Sequence, residues 1–159
     1  MDGIADWLGD ADRIAELGRR LRAASVPADR LVLYRRTLHP EILGRATAWA
    51  PGRPIEIFDR EHGLEFSLGF RGSPLDQAMA DGARRTIPRA EFDPAAWSWA
   101  DPFRGFGLAA LMVRPLRQTA ALVAGTRRPQ GFSEAEAALL DRLAAGLDEG
   151  RSRKKARSQ

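Results

Sequence analysis

Two apolar runs, residues 108–113 and 119–124, flank the polar stretch 114–118, and a third periodic segment follows from Ser133. Runs of about six residues bounded by glycine or proline fit adjacent antiparallel strands, because buried helices need roughly ten residues or more. The pattern predicts a β-hairpin. Behind it, Gly131-Phe132-Ser133-Glu134-Ala135-Glu136 has the form of a capping box: the Ser133 hydroxyl accepts from the Glu136 amide while the Glu136 carboxylate reaches back to the Ser133 amide. A helix is predicted there, with Leu139, Leu140, Leu143, Ala144 and Leu147 on its apolar face and Asp141, Arg142 and Asp148 on its wet face.

The rest of the chain follows the same logic. Ile4, Trp7, Leu8, Ile14, Leu17 and Leu21 recur at helical spacing over residues 2–24, with Gly9 a weak point and Val26-Pro27 a stop. Acids dominate the first half of that segment and Arg19, Arg20 and Arg22 its last turns, the order the helix dipole favours. Strands are predicted from Arg30 to His39, from Arg45 to Trp49 and from Ile55 to Phe58, the last two separated by the turn Pro51-Gly52-Arg53-Pro54. Residues 59–72, rich in glycine, read as loop or loop with a turn of helix. Ser73-Pro74 starts a short helix that buries Leu75, Ala78 and Met79 and closes at Gly82, and residues 84–88 suit an edge strand because Pro88 cannot donate to a ladder. Phe92, Trp97, Trp99, Phe103 and Phe106 then crowd one segment. The predicted class is α+β: a five- or six-stranded antiparallel sheet with the N- and C-terminal helices packed on one face and the middle segments covering the other.

Composition narrows the function. A chain of 159 residues, 44% hydrophobic, is one domain with a real core. It has no cysteine, which excludes disulfides, thiolate metal sites, thiol catalysis and attachment of a bilin through sulfur. No apolar run reaches the roughly 18 to 20 residues of a membrane span, and the acidic start is unlike a secretory signal, so a cytoplasmic protein is expected. The net charge of +4 resides in residues 151–159, which carry five basic groups and no acid, whereas residues 1–150 carry 20 basic and 21 acidic groups. The reading is a single domain over 1–150 followed by a disordered basic tail, without a nucleic-acid site.

Candidate chemistry is sparse. His39 and His62 are the only histidines, and a zinc site would have to recruit Asp59, Glu61 or Glu65, so no metal site is assigned. Ser73 and Ser133 serve as helix caps, Ser98 lies in no nucleophile elbow, and no catalytic residue is assigned. Residues 125–131 place glycines and arginines before a helix but lack the Gly-Lys-Ser/Thr of a P-loop, and read as a strand-to-helix connection. Arg35 and Arg36 alternate on their strand, which sends one guanidinium toward the face covered by the middle segments. An arginine there has two readings: part of a pocket, or partner to an acid such as Asp59 or Glu61. The most site-like constellation joins Arg36, Thr37 and His39 to the rings of Trp97, Trp99, Phe103 and Phe106. The alternative is that the four rings complete the core.

Arg36-Thr37-Leu38-His39-Pro40, Trp49, the run Phe58-Asp59-Arg60-Glu61-His62-Gly63, the helix start Arg71-Gly72-Ser73-Pro74 and the closing Gly131-Phe132-Ser133 resemble one group of proteins. They are similar to the GAF-like region ahead of the catalytic domain in some bacterial class III adenylate or guanylate cyclases, over about residues 10–148. The resemblance implies a GAF-like sensory or regulatory module in signal transduction. It departs from that pattern where the chain passes into the basic tail instead of a nucleotide-binding catalytic domain, so no cyclase activity is implied. The expected ligand is a small molecule of unknown identity, the expected partners are a second copy held through the terminal helices and a signalling protein such as a cyclase, and the alternative is a purely structural dimerisation module. A GAF-type methionine sulfoxide reductase would need cysteines.

Overall fold

The computed structural model describes residues 3–36, 44–60, 74–91, 102–116 and 120–157. In chain order these form α1 (Gly3–Ala23), β1 (Arg30–Arg36), β2 (Gly44–Trp49), β3 (Glu56–Arg60), α2 (Pro74–Asp81), β4 (Arg85–Pro88) with a 3-10 turn behind it, β5 (Ala110–Leu116), β6 (Ala120–Thr126) and α3 (Glu134–Arg157). The strands make one six-stranded sheet in the order β3-β2-β1-β6-β5-β4, with every neighbouring pair antiparallel. β1 and β6 are thus central. That is why residues 120–126 are buried throughout: a strand covered on both faces has no polar side to show.

Alternation along the strands divides the core into two layers. Leu31 and Leu33 of β1, Trp49 of β2, Met112 of β5, and Leu122 and Ala124 of β6 pack with Ile14, Leu17 and Leu21 of α1 and with Ala137, Leu140, Ala144 and Leu147 of α3. Val32 and Tyr34, Ala46 and Ala48, Leu111 and Val113, and Ala121 and Val123 face the other way, against Leu75 and Ala78 of α2 and the segment holding Phe103, Phe106 and Leu108. The terminal helices therefore share one face and the middle of the chain covers the other, as the pattern predicts.

Local chemistry sets the boundaries. α1 runs unbroken through Gly9 and ends before Pro27 intervenes: Ser25 adopts φ 63°, and the amides of Ser25 and Val26 donate to the carbonyls of Arg22 and Leu21 at 3.0 and 2.9 Å. This is a Schellman stop, completed by the burial of Leu21 and Val26 in one cluster. The capping box of α3 forms, with Ser133 N donating to Glu136 Oε1 at 2.7 Å and Glu136 N donating to Ser133 Oγ at 3.2 Å. Arg128 pairs with the same carboxylate and, ahead of Ser133, holds the Glu136 carboxyl below its ordinary pKa. Asp141, which periodicity assigns to the wet face, accepts from Arg84 at 2.6 Å and lies 3.2 Å from Arg114 Nε, fastening α3 to the β4–β5 side of the sheet.

Some boundaries differ from the sequence reading. β3 extends through Asp59 and Arg60, which pair with Arg45 and Gly44. β5 continues through Arg114, Pro115 and Leu116, where a turn is predicted. Its pairing with β4 stops at Val113, so beside Pro115 no described strand pairs on that side, where its missing amide costs least. The helical backbone of α3 reaches Arg157.

α1 meets the sheet at one close approach. A Cβ built on Gly18 would fall 2.5 Å from Cζ2 and 2.6 Å from Cδ2 of Trp49, inside the contact limit of a rigid ring. Gly18→Ala is expected to destabilise the fold by about 1–3 kcal/mol through overpacking, against the roughly 1 kcal/mol that alanine otherwise gains over glycine inside a helix. Denaturant unfolding reads the sign, and a more stable variant would show that Gly18 does not seat the indole.

Candidate functional site

Among the described residues, a buried guanidinium on the face opposite α1 and α3 belongs to Arg30. β1 begins with this residue, and its parity is that of Val32 and Tyr34. Only 1% of it is exposed. Nε donates to the Pro102 carbonyl at 2.8 Å and Nη2 to Glu56 Oε1 at 2.9 Å, while the guanidinium carbon stands 4.2 Å from the centre of the Phe106 ring. Nη1 is buried, and no acceptor among the described residues reaches it. A buried donor left unpaired costs about 1–3 kcal/mol, so the arrangement is a standing charge on the fold. Burial pushes the Arg30 pKa below its ordinary value, and the hydrogen bond and charge of Glu56 oppose that shift. Arg53, exposed on the turn before β3, lies over the same ring at 4.8 Å. Two cations thus address Phe106, with Glu56 as the neighbouring acid.

Arg35 goes to the other layer. Its guanidinium grips Asp10 of α1 through two bonds, Nε to Oδ2 at 2.5 Å and Nη2 to Oδ1 at 2.9 Å, with side-chain exposures of 10% and 3%. It is a helix-to-sheet fastening and takes no part in the opposite face. Arg36 has the alternate parity at the far end of β1, in register with Gly44. Thr37, His39, Trp97 and Trp99 lie outside the described residues, as do His62, Ser73 and Ser98. Phe103 and Phe106 are 3% and 8% exposed, joined to Val32, Leu75, Ile87, Leu108 and Leu111. Both rings are therefore part of the packed layer.

Sequence reasoning passed over Arg30 because its contacts are long-range: Glu56 is 26 residues away and Pro102 is 72. The available signal was parity, since an arginine at the head of a strand whose next even residues are Val32 and Tyr34 belongs to that apolar face. Residues 125–131 contribute no free cation among the described residues. Arg127 donates through Nε to the Phe106 carbonyl at 2.7 Å and through its amide to Asp29 at 2.8 Å, and Arg128 binds the Gly131 carbonyl at 2.7 Å as well as Glu136. Among the described residues, no three His, Cys, Asp or Glu side chains are grouped to hold a metal, and no helix is long and apolar enough to cross a membrane. On the helical face, a groove of about 320 Å³ runs between α1 and α3 beside Asp12, Glu16, Leu17, Leu143 and Leu147.

No family model and no curated protein sequence matches the chain. Among solved structures it is similar to the red-light-absorbing state of NpR6012g4, a red/green cyanobacteriochrome, with a TM-score of 0.61 and 17% identity over 94% of this chain and 99% of that one. A match that spans both chains at so low an identity concerns the path of the backbone. The six-stranded antiparallel sheet with both terminal helices on one face has a GAF-like α+β fold.

Proposed function

We propose that this domain is a non-catalytic sensory or regulatory module that binds a small molecule on the sheet face opposite α1 and α3. The observation that carries the reading is Arg30, a buried cation with an unpaired donor set into an otherwise apolar and aromatic layer. Ligand sites in small domains have that composition, mostly apolar with a few placed polar groups. On this proposal Arg36, Thr37 and His39 contribute further polar groups to the ligand, and Trp97 and Trp99 contribute apolar contact together with Phe103 and Phe106. The resemblance to the N-terminal regions of class III cyclases supports a role in signal transduction in the cytoplasm, the ligand state being passed to a partner such as a cyclase. A chromophore fixed through cysteine sulfur is excluded by composition. Thermal shift against cyclic nucleotides and central metabolites tests the reading, since a ligand at 100 times its dissociation constant adds about 2.7 kcal/mol. At least one compound is expected to raise the melting temperature by several degrees; a flat response across the panel contradicts it.

The second reading is a dimerisation module without a ligand, favoured by the groove between α1 and α3. Both readings include pairing through the terminal helices, where Leu139 and Leu143 are only half-buried. Light scattering at high micromolar concentration is expected to give twice the mass of one chain, and a monomer there removes the dimer from both.

A further inference from the structure

Glu56 binds Arg30 with one oxygen only. Its Oε1 meets Nη2 at 2.9 Å while the adjacent Nη1 has no acceptor among the described residues, so half of the guanidinium fork is unused. The two partners are also unequally placed: the Arg30 side chain is 1% exposed and that of Glu56 46%. Glu56 can leave toward solvent, and Arg30 cannot follow it. Pro102 fixes Nε from behind and the Phe106 ring lies against the guanidinium, which holds the plane of the fork in place for a partner. Arg53, over the same ring, adds a second positive charge that Glu56 alone does not balance.

We propose that Arg30 is the anchor of a carboxylate-binding subsite and that Glu56 is its internal stand-in, displaced when a small organic carboxylate takes both Nη1 and Nη2. A planar carboxylate matches a guanidinium with two parallel hydrogen bonds, which is more than Glu56 makes here. Arg53 strengthens the attraction at the mouth, where charge raises the local concentration of an anion. The inference rests on the ligand-binding reading above and assigns it a chemical class: a compound with a free carboxylate near an apolar body.

Acetate is the smallest probe of the fork, with inorganic phosphate as the tetrahedral comparison and chloride holding ionic strength constant. Dissociation constants follow from NMR titration of arginine side-chain N–H signals in the full chain, for the wild type and for Glu56→Gln, which keeps a neutral hydrogen bond to Nη2. Acetate is expected to bind Glu56→Gln at least tenfold more tightly than wild type and to shift the Arg30 signals, with phosphate several-fold weaker. Arg53→Gln, at an exposed position, is expected to weaken acetate binding several-fold in the Glu56→Gln background. Equal acetate affinity in wild type and Glu56→Gln overturns the proposal, as does phosphate binding as tightly as acetate. Stabilisation of the wild type by a neutral compound, together with no acetate effect in Glu56→Gln, leaves the sensory reading standing and removes this inference. No response of either protein to any compound removes both.

Discussion

Phe103→Ala is expected to lower the stability of the domain by about 3–5 kcal/mol, the cost of emptying a well-packed aromatic position. Phe103 is 3% exposed and shares its layer with Leu75 and Ala78 of α2, Ile87 of β4 and Leu111 and Val113 of β5. It therefore joins the cover of the sheet to the sheet itself, and neighbours held in three secondary-structure elements cannot all collapse into the space it leaves. At roughly 2–4 °C per kcal/mol for a chain of this size, the melting temperature should fall by about ten degrees. A loss below about 1 kcal/mol, measured by denaturant unfolding, would place the ring at a cavity wall instead of in the layer.

The second large effect is expected on the other face. Asp10→Ala removes the carboxylate from a pair in which Arg35 is 10% exposed and doubly bonded, leaving a buried guanidinium without its counter-charge. Breaking such a pair from one side costs about 3–5 kcal/mol, whereas replacing both members by well-packed apolar residues is often neutral. Asp10→Leu combined with Arg35→Met is accordingly expected to recover most of the loss. Chemical unfolding of the wild type and the two variants compares them directly, and a double variant no more stable than Asp10→Ala would mean that the pair does more than neutralise itself.

Much of this architecture was legible in the chain because short signals coincide with real stops. The capping box at Ser133, the apolar runs of the hairpin and the proline-bearing edge at Pro88 each state a local geometry that tertiary packing does not overrule. Where reading failed, the decisive partner was distant or the signal ambiguous. Pro115 reads as a turn until the lapse of β4 beside it is known, and Gly9 reads as a break until α1 is seen packed along the sheet. Alternation on β1 requires that Arg35 and Arg36 diverge, yet it could not name Asp10 as the residue waiting for one of them. The candidate site was the least legible part. Its cation, Arg30, is defined by Glu56, Pro102 and Phe106, which only the sheet order and the segment before β5 bring together.

The proposed ligand site lies on the sheet face opposite the layer that holds Trp49, and this permits a direct test. The chain has four tryptophans, and Trp49 is 8% exposed in the layer beneath α1 and α3. Indole N–H resonances of a uniformly labelled sample, followed while titrating a compound that raises the melting temperature, report each ring separately. The account predicts that Trp97 and Trp99 shift in proportion to occupancy while Trp49 stays fixed. Movement of Trp49 with Trp97 and Trp99 unchanged would contradict it, because the ligand would then sit against the terminal helices.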